Sequence, residues 1–204
     1  KIFLGEFIAS CFLVMVIVGS GIMAENLTND NAVRLLANTI ATGAGLFVLI
    51  TAFANISGAH LNPFVSLSMY LTKRIKGKEL LTFIPAQILG CLLGVMLANV
   101  FFEHSIIELS AKNRDGFHIF LSEIVATFGL IFIIFATQKD GKTTVAACVA
   151  TYISAGYWFT SSTSFANPAV AIARTFTDSF TGINYLNTPT YIFAELLGLS
   201  LIHI

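Results

Sequence analysis

Apolar residues run along this chain in long, nearly unbroken stretches rather than in narrow stripes. Stretches of about 20 residues, the length a helix needs to cross a bilayer's hydrocarbon, cover 2–24, 34–55, 80–102, 117–137 and 143–162. A sixth begins near Thr190 and runs to Ile204. Its fifteen residues would rise only about 22 Å as a helix, short of a roughly 30 Å core, so this span is expected to be truncated. Two further apolar pieces, 62–72 and 167–176, are too short to cross. They read as half-helices that dip in and turn back, and irregular backbone at that depth survives only where it lines a cavity or is buried in protein. The predicted fold is an all-α membrane protein with six transmembrane helices and two re-entrant half-helices.

Both short pieces open on the same signal. Asn62-Pro63-Phe64-Val65 and Asn167-Pro168-Ala169-Val170 stand 105 residues apart. Asn is a favoured N-cap and Pro is tolerated at the first helical position, so each pair marks a helix start. A helix starting inside a membrane aims unpaired N–H groups and the positive end of its dipole at the interior. Other landmarks repeat in the same order. Glu6-Phe7-Ile8-Ala9-Ser10 matches Glu123-Ile124-Val125-Ala126-Thr127, and Ala86-Gln87-Ile88-Leu89-Gly90 matches Ala194-Glu195-Leu196-Leu197-Gly198. Each half holds three spans, an odd number, so the second half enters from the opposite side. Such inverted repeats build sites at the bilayer midplane. The chain is expected to form one membrane domain over 1–204, with repeats at about 1–105 and 116–204.

Composition agrees with the pattern. Hydrophobic residues make up 56% and charged residues 11%, with a mean hydropathy of +0.83; soluble domains carry about 25% charged residues. Net charge is zero, which argues against a nucleic-acid partner. Cys11, Cys91 and Cys148 lie far apart inside apolar runs and read as small buried hydrophobes. No metal-ligand spacing, nucleophile–base pair or phosphate loop stands out, so neither an enzyme nor a cofactor or metal is expected. Lys1, Lys73, Arg74, Lys76, Lys78, Lys139 and Lys142 fall on one side of the membrane. Arg34, Lys112, Arg114 and Arg174 fall on the other. By the positive-inside rule both termini are cytoplasmic, in a plasma or bacterial inner membrane.

Six spans, an inverted repeat and two membrane-dipping Asn-Pro segments resemble the aquaporin and aquaglyceroporin (major intrinsic protein) family. The stretch Ile56-Ser57-Gly58-Ala59-His60-Leu61-Asn62-Pro63 is similar to that family's first signature, and Glu6, Glu123 and Ala86-Gln87 also match. The resemblance covers essentially the whole chain. It implies a right-handed bundle in a homotetramer, each protomer with its own pore for water and small neutral solutes. It also implies a constriction, which counting from the two Asn residues places at Thr42, Ala155 (or its neighbour Gly156), Ser164 and Val170. Val170 stands where the family usually has arginine; Arg174 comes four residues later. A filter of Thr, Ala, Ser and Val is small-sided and without a fixed cation. Pore width and lining donors set selectivity, so solutes bulkier than water are expected to pass.

The remaining candidates carry two readings each. Asn62 and Asn167 cap their half-helices through the side-chain oxygen, which leaves the amide NH₂ as a donor pair for a solute. Glu6 and Glu123 are intramembrane carboxylates, either proton relays or brackets for the loops, and their matched positions favour brackets. His60 is a titratable gate or a neutral packing residue that displays its carbonyl to the cytoplasmic vestibule. Phe64 replaces the first motif's alanine and either packs behind the half-helix or narrows the waist. Glu195 is protonated, paired with a neighbouring subunit, or set at a water-filled edge. The leading function is a passive channel for water and small uncharged solutes such as glycerol, urea or neutral metalloid acids, closed to ions and protons. The alternative is a proton- or ion-coupled secondary transporter.

Overall fold

The structure, a computed structural model, describes residues 1–201. Eight α-helices follow one another: α1 (Ile2–Leu27), α2 (Asn31–Phe53), α3 (Pro63–Leu71), α4 (Gly77–Phe101), α5 (Phe117–Thr137), α6 (Lys142–Phe159), α7 (Pro168–Ala173) and α8 (Thr188–Ser200). Single 3₁₀ turns close α5 and α7, at Gln138–Asp140 and Arg174–Phe176. Every expected span meets a helix. The sixth is α8, which begins at Thr188; Ile202 to Ile204 lie outside the described residues. By length and composition, α1, α2, α4 and α5 with its 3₁₀ turn can each cross a membrane.

The two halves are built alike. Helix α1 packs along α4, and α5 along α8, while α2 lies between α1 and α6. Lipid gives little hydrophobic drive for helix association, so adhesion comes from close backbone approach at small residues. Gly90 and Gly198 supply it at matched places. A Cβ on Gly90 would collide with the Phe7 carbonyl oxygen, and one on Gly198 with the Ile124 carbonyl oxygen. The outer surface keeps large apolar residues such as Leu81, Phe117, Phe132 and Phe193 exposed, as lipid requires.

The short helices α3 and α7 each start at Asn-Pro, with the Asn backbone extended at φ −152° and −157°. Nine residues of α-helix rise about 14 Å; six residues plus a 3₁₀ turn rise about 15 Å. Placed N-terminus to N-terminus, the two amount to roughly one hydrocarbon thickness. Together they form a seventh, discontinuous span whose break lies at the centre of the bundle.

Candidate functional site

Each half-helix is delivered by a loop whose backbone lies in the left-handed region. Gly58, Ala59 and Leu61 have φ of 100°, 52° and 51°. Thr163, Ser164 and Ala166, 105 positions on, have φ of 65°, 51° and 47°. For a residue with a Cβ this conformation costs roughly 1–2 kcal/mol, so something must hold it. Buried carboxylates do so. Glu6 accepts from Ser57 Oγ (2.6 Å) and His60 N–H (3.1 Å) at Oε1, and from Leu61 N–H and Gln87 Nε2 (both 2.8 Å) at Oε2. Glu123 accepts from Phe165 N–H (2.9 Å) at Oε1 and Ala166 N–H (2.8 Å) at Oε2. Both carboxylates are fully buried behind their loops.

The direction of those amides fixes the direction of the carbonyls. The peptide bonds of the described residues are trans, so an N–H aimed back at a carboxylate sends the preceding C=O the opposite way. The carbonyls of Ala59 and His60, and those of Ser164 and Phe165, therefore turn away from Glu6 and Glu123 toward the space between the halves.

That space is a cavity of about 350 Å³. It runs from the end of the bundle holding Ala54, Gln138 and Lys142, past Asn62 and Asn167, to the end holding Tyr157 and Arg174. One wall is loop backbone from 58–62 and 164–167; the facing wall is aliphatic, with Leu13, Ile17, Leu46, Ile50, Val149 and Ile153. No carboxylate stands among the described lining residues.

At the waist, each Asn does two things. Asn62 Oδ1 accepts from Phe64 N–H (2.9 Å), and Asn167 Oδ1 from Ala169 N–H (3.1 Å) and Val170 N–H (3.4 Å). The amide groups cross over: Asn62 Nδ2 donates to the Ala166 carbonyl (2.6 Å), and Asn167 Nδ2 to the Leu61 carbonyl (2.8 Å). The expected free donor pair is thus half used. One proton of each amide ties the opposite loop, and the other has no acceptor among the described residues.

Of the four constriction positions, Thr42, Ser164 and Val170 line the cavity. Ala155 does not. It lies exposed on the outer face of α6, because two residues of helix turn about 200° and the inward position there is Tyr157. Gly156 is buried, with Ser164 against it, and does not line the cavity either. The Tyr157 hydroxyl donates to Thr42 Oγ1 (3.1 Å). A stripe at Ala146, Val149, Ala150, Ile153 and Tyr157, spaced three and four apart, carried this information in the sequence. The expectation that no fixed cation faces this end also needs correction. Arg174 is buried and lines the cavity beyond Tyr157, one helical turn past Val170. Its Nε donates to the Thr181 carbonyl and its guanidinium lies 3.5 Å above the Phe165 ring centre. Arg114 approaches the same ring at 5.4 Å.

His60 lines the cavity, its Nδ1 3.0 Å from Ser66 Oγ and its ring stacked on Phe83 at 4.3 Å. Phe165, 105 positions on, packs on Tyr191 at 4.7 Å. Phe64, in the first turn of α3, is half-buried against the core and is not part of the lining. Outside the lumen, Lys112 donates to the Phe180 carbonyl (2.6 Å) and sits over the Phe180 ring at 4.6 Å. Burial, with Arg114 and Arg174 nearby, pushes its pKa down to about 8.

The family model for major intrinsic proteins matches residues 1–201. Aquaglyceroporin AqpS of Rhizobium meliloti (strain 1021) is 47% identical over 193 residues, covering 95% of this chain and 83% of that protein. Aquaporin TIP1-2 of Musa acuminata is 36% identical over 149 residues, covering 70% of this chain and 58% of that protein. The aquaglyceroporin from Plasmodium falciparum shares the fold, with a TM-score of 0.77 at 21% identity, covering 98% of this chain and 92% of that one.

Proposed function

The chain belongs to the major intrinsic protein family, and on that premise we propose that it is a passive channel for water and small uncharged solutes. One observation carries the reading: a cavity runs along the bundle past both Asn residues, loop backbone on one wall and aliphatic side chains on the other, with no carboxylate among the described lining residues. A solute exchanges its water for carbonyls and the two Asn donors one at a time, while the aliphatic wall keeps it from being held. Coupled transport of a cation is best served by a carboxylate on the path, and Glu6 and Glu123 stand behind the loops instead, while the lining His60 is fixed between Ser66 and Phe83. We assign them the bracing of α3 and α7.

Thr42, Tyr157, Ser164, Val170 and Arg174 form the selective end, and His60, Gln138 and Lys142 the opposite vestibule. Val170 leaves the space beside α7 free of a guanidinium, which sits a turn further out on Arg174. The opening then admits glycerol, urea or a neutral metalloid hydroxide as well as water. Cations meet the N-termini of α3 and α7 and the Arg174 charge, all positive. The Lys142 end faces the cytoplasm, following the Lys/Arg bias, and four copies assemble, each around its own pore. Stopped-flow light scattering on proteoliposomes, without any ion gradient, tests the reading. Water, glycerol, urea or arsenite should enter well above the lipid background while sucrose stays out; solute entry that requires a proton or sodium gradient would mean coupled transport.

A further inference from the structure

The two loops are braced by different chemistry at one matched pair of positions. In the first half, Gln87 on α4 gives both amide protons away: one to Glu6 Oε2 (2.8 Å), one to Ser66 Oγ (2.9 Å). In the second half the counterpart of Gln87 is Glu195, and the counterpart of Ser66 is Ala171. The hydroxyls of the two loops also differ: Ser57 Oγ donates to Glu6 (2.6 Å), whereas Ser162 Oγ donates to Thr160 Oγ1 (3.4 Å). Glu195 Oε1 accepts from Asn167 N–H (3.0 Å), and Glu123 accepts from the preceding amide, Ala166 N–H (2.8 Å). Successive amides thus hold two fully buried carboxyl groups side by side. Among the described residues nothing donates to Glu195 Oε2.

Two ionised carboxylates this close, away from water, repel strongly; one shared proton turns the contact into a short charge-assisted O–H···O bond. We propose that Glu195 holds that proton and donates it from Oε2 to Glu123, a positioning residue that does for α7 what the Gln87 amide does for α3. Ownership follows from the donors. Glu123 receives Phe165 N–H and Ala166 N–H, both of which favour its ionised form, whereas Glu195 receives Asn167 N–H alone. The other charged or titratable groups nearby are Arg174, from the turn after α7, Tyr152, whose hydroxyl donates to the Ala126 carbonyl (3.2 Å), and Tyr191 and Arg114, both beside the Phe165 ring. Residue 171 explains why an acid serves better than an amide. Gln brings two N–H groups and needs two acceptors, which Glu6 and Ser66 provide; Ala171 offers none, and a carboxylic acid brings one proton for one acceptor. Glu195 with Ala171 and Gln87 with Ser66 are alternative sets in which every donor proton of residue 195 or 87 has an acceptor.

Infrared spectroscopy of the reconstituted channel tests this directly. At neutral pH the wild type should show the C=O stretch of a protonated carboxyl, absent from Glu195→Gln. Thermal unfolding should show Glu195→Gln lowered by roughly 3 °C or more through its orphaned N–H, and Ala171→Ser/Glu195→Gln restored. Should Glu195→Gln fail to fold, the double variant carries the same infrared comparison. A spectrum without that band, a band that survives in either Gln variant, or a Glu195→Gln protein more stable than wild type would each overturn the proposal. Failure of both variants to fold would overturn it too, since the amide set would then not replace the acid.

Discussion

The reciprocal bonds of Asn62 and Asn167 set the energy of the waist. Asn62→Ala removes a cap on α3, worth about 1 kcal/mol. It also removes the donor to the Ala166 carbonyl, which belongs to a fully buried residue; an orphaned buried carbonyl costs about 1–3 kcal/mol. Ala166 borders the cavity, so water in the lumen can reach that oxygen and the lower part of the range applies. The expected loss is about 2 kcal/mol, a factor of roughly 30 in the folding equilibrium. Asn167→Ala should lose about as much, since its cap serves two amides, Ala169 and Val170, and its Nδ2 holds the Leu61 carbonyl. The two losses should not add. Once one amide is gone the loops can separate, and the second bond is already weakened, so the double variant should fall short of the sum by about 0.5–1 kcal/mol. Denaturant titration of the detergent-solubilised protein measures all three, and stopped-flow scattering follows permeability on the same samples. Single variants within about 0.5 kcal/mol of wild type, with unchanged water flux, would refute both the clasp and the placement of these residues on the path.

Other outcomes follow from the geometry of the lumen. Val170→Arg should cut glycerol, urea or arsenite entry far more than water entry, because the new side chain joins Arg174 on the same face one turn away; equal losses would point to misfolding instead. Ala155→Trp, on the outer face of α6, should leave permeability as it is, whereas Tyr157→Ala should widen solute entry; sensitivity at 155 with indifference at 157 would reverse the assignment of the inward face. Purified protein in planar bilayers should carry no sodium or proton current, and measurable conductance would show that two half-helix termini and one guanidinium are too weak a barrier. The pH dependence of Lys112 has a definite sign: its pKa falls from 10.5 unfolded to about 8 folded, so the folded state binds fewer protons between those values and stability rises with pH across that window. Lys112→Gln should flatten that rise in thermal unfolding, and an unchanged slope would place the titration elsewhere.

The spans and both half-helices could be read from the chain because a bilayer imposes a length, and apolar runs record it. The start of α3 at Pro63 and of α7 at Pro168 followed from Asn and Pro alone, a local preference that needs no tertiary partner. The face of α6 did not follow from counting along the family pattern, since the segment between Tyr157 and Asn167 fixes the register and a slip of two residues moves a side chain to the far face. Its buried stripe held the answer. Arg174 was visible as a charge but not as a lining group: its inward pose depends on the Thr181 carbonyl and the Phe165 face, both set by how the loop after α7 folds back. The crossed Asn amides, and the gathering of Glu123 and Glu195 on successive amides of one loop, are long-range pairings on which spacing in the sequence is silent.

Asn167 Nδ2 and the Leu61 carbonyl it holds are 106 positions apart, which gives the clasp a meaning in time as well as in energy. During synthesis the first loop reaches membrane depth with the Leu61 oxygen and the Asn62 amide still waiting for partners. Those partners emerge only after α4, α5 and α6 have been made. Until then α3 is a half-helix in lipid with an unsatisfied tip, a poor occupant of hydrocarbon. The first three spans alone therefore leave these groups without partners, and the waist closes only when α7 arrives.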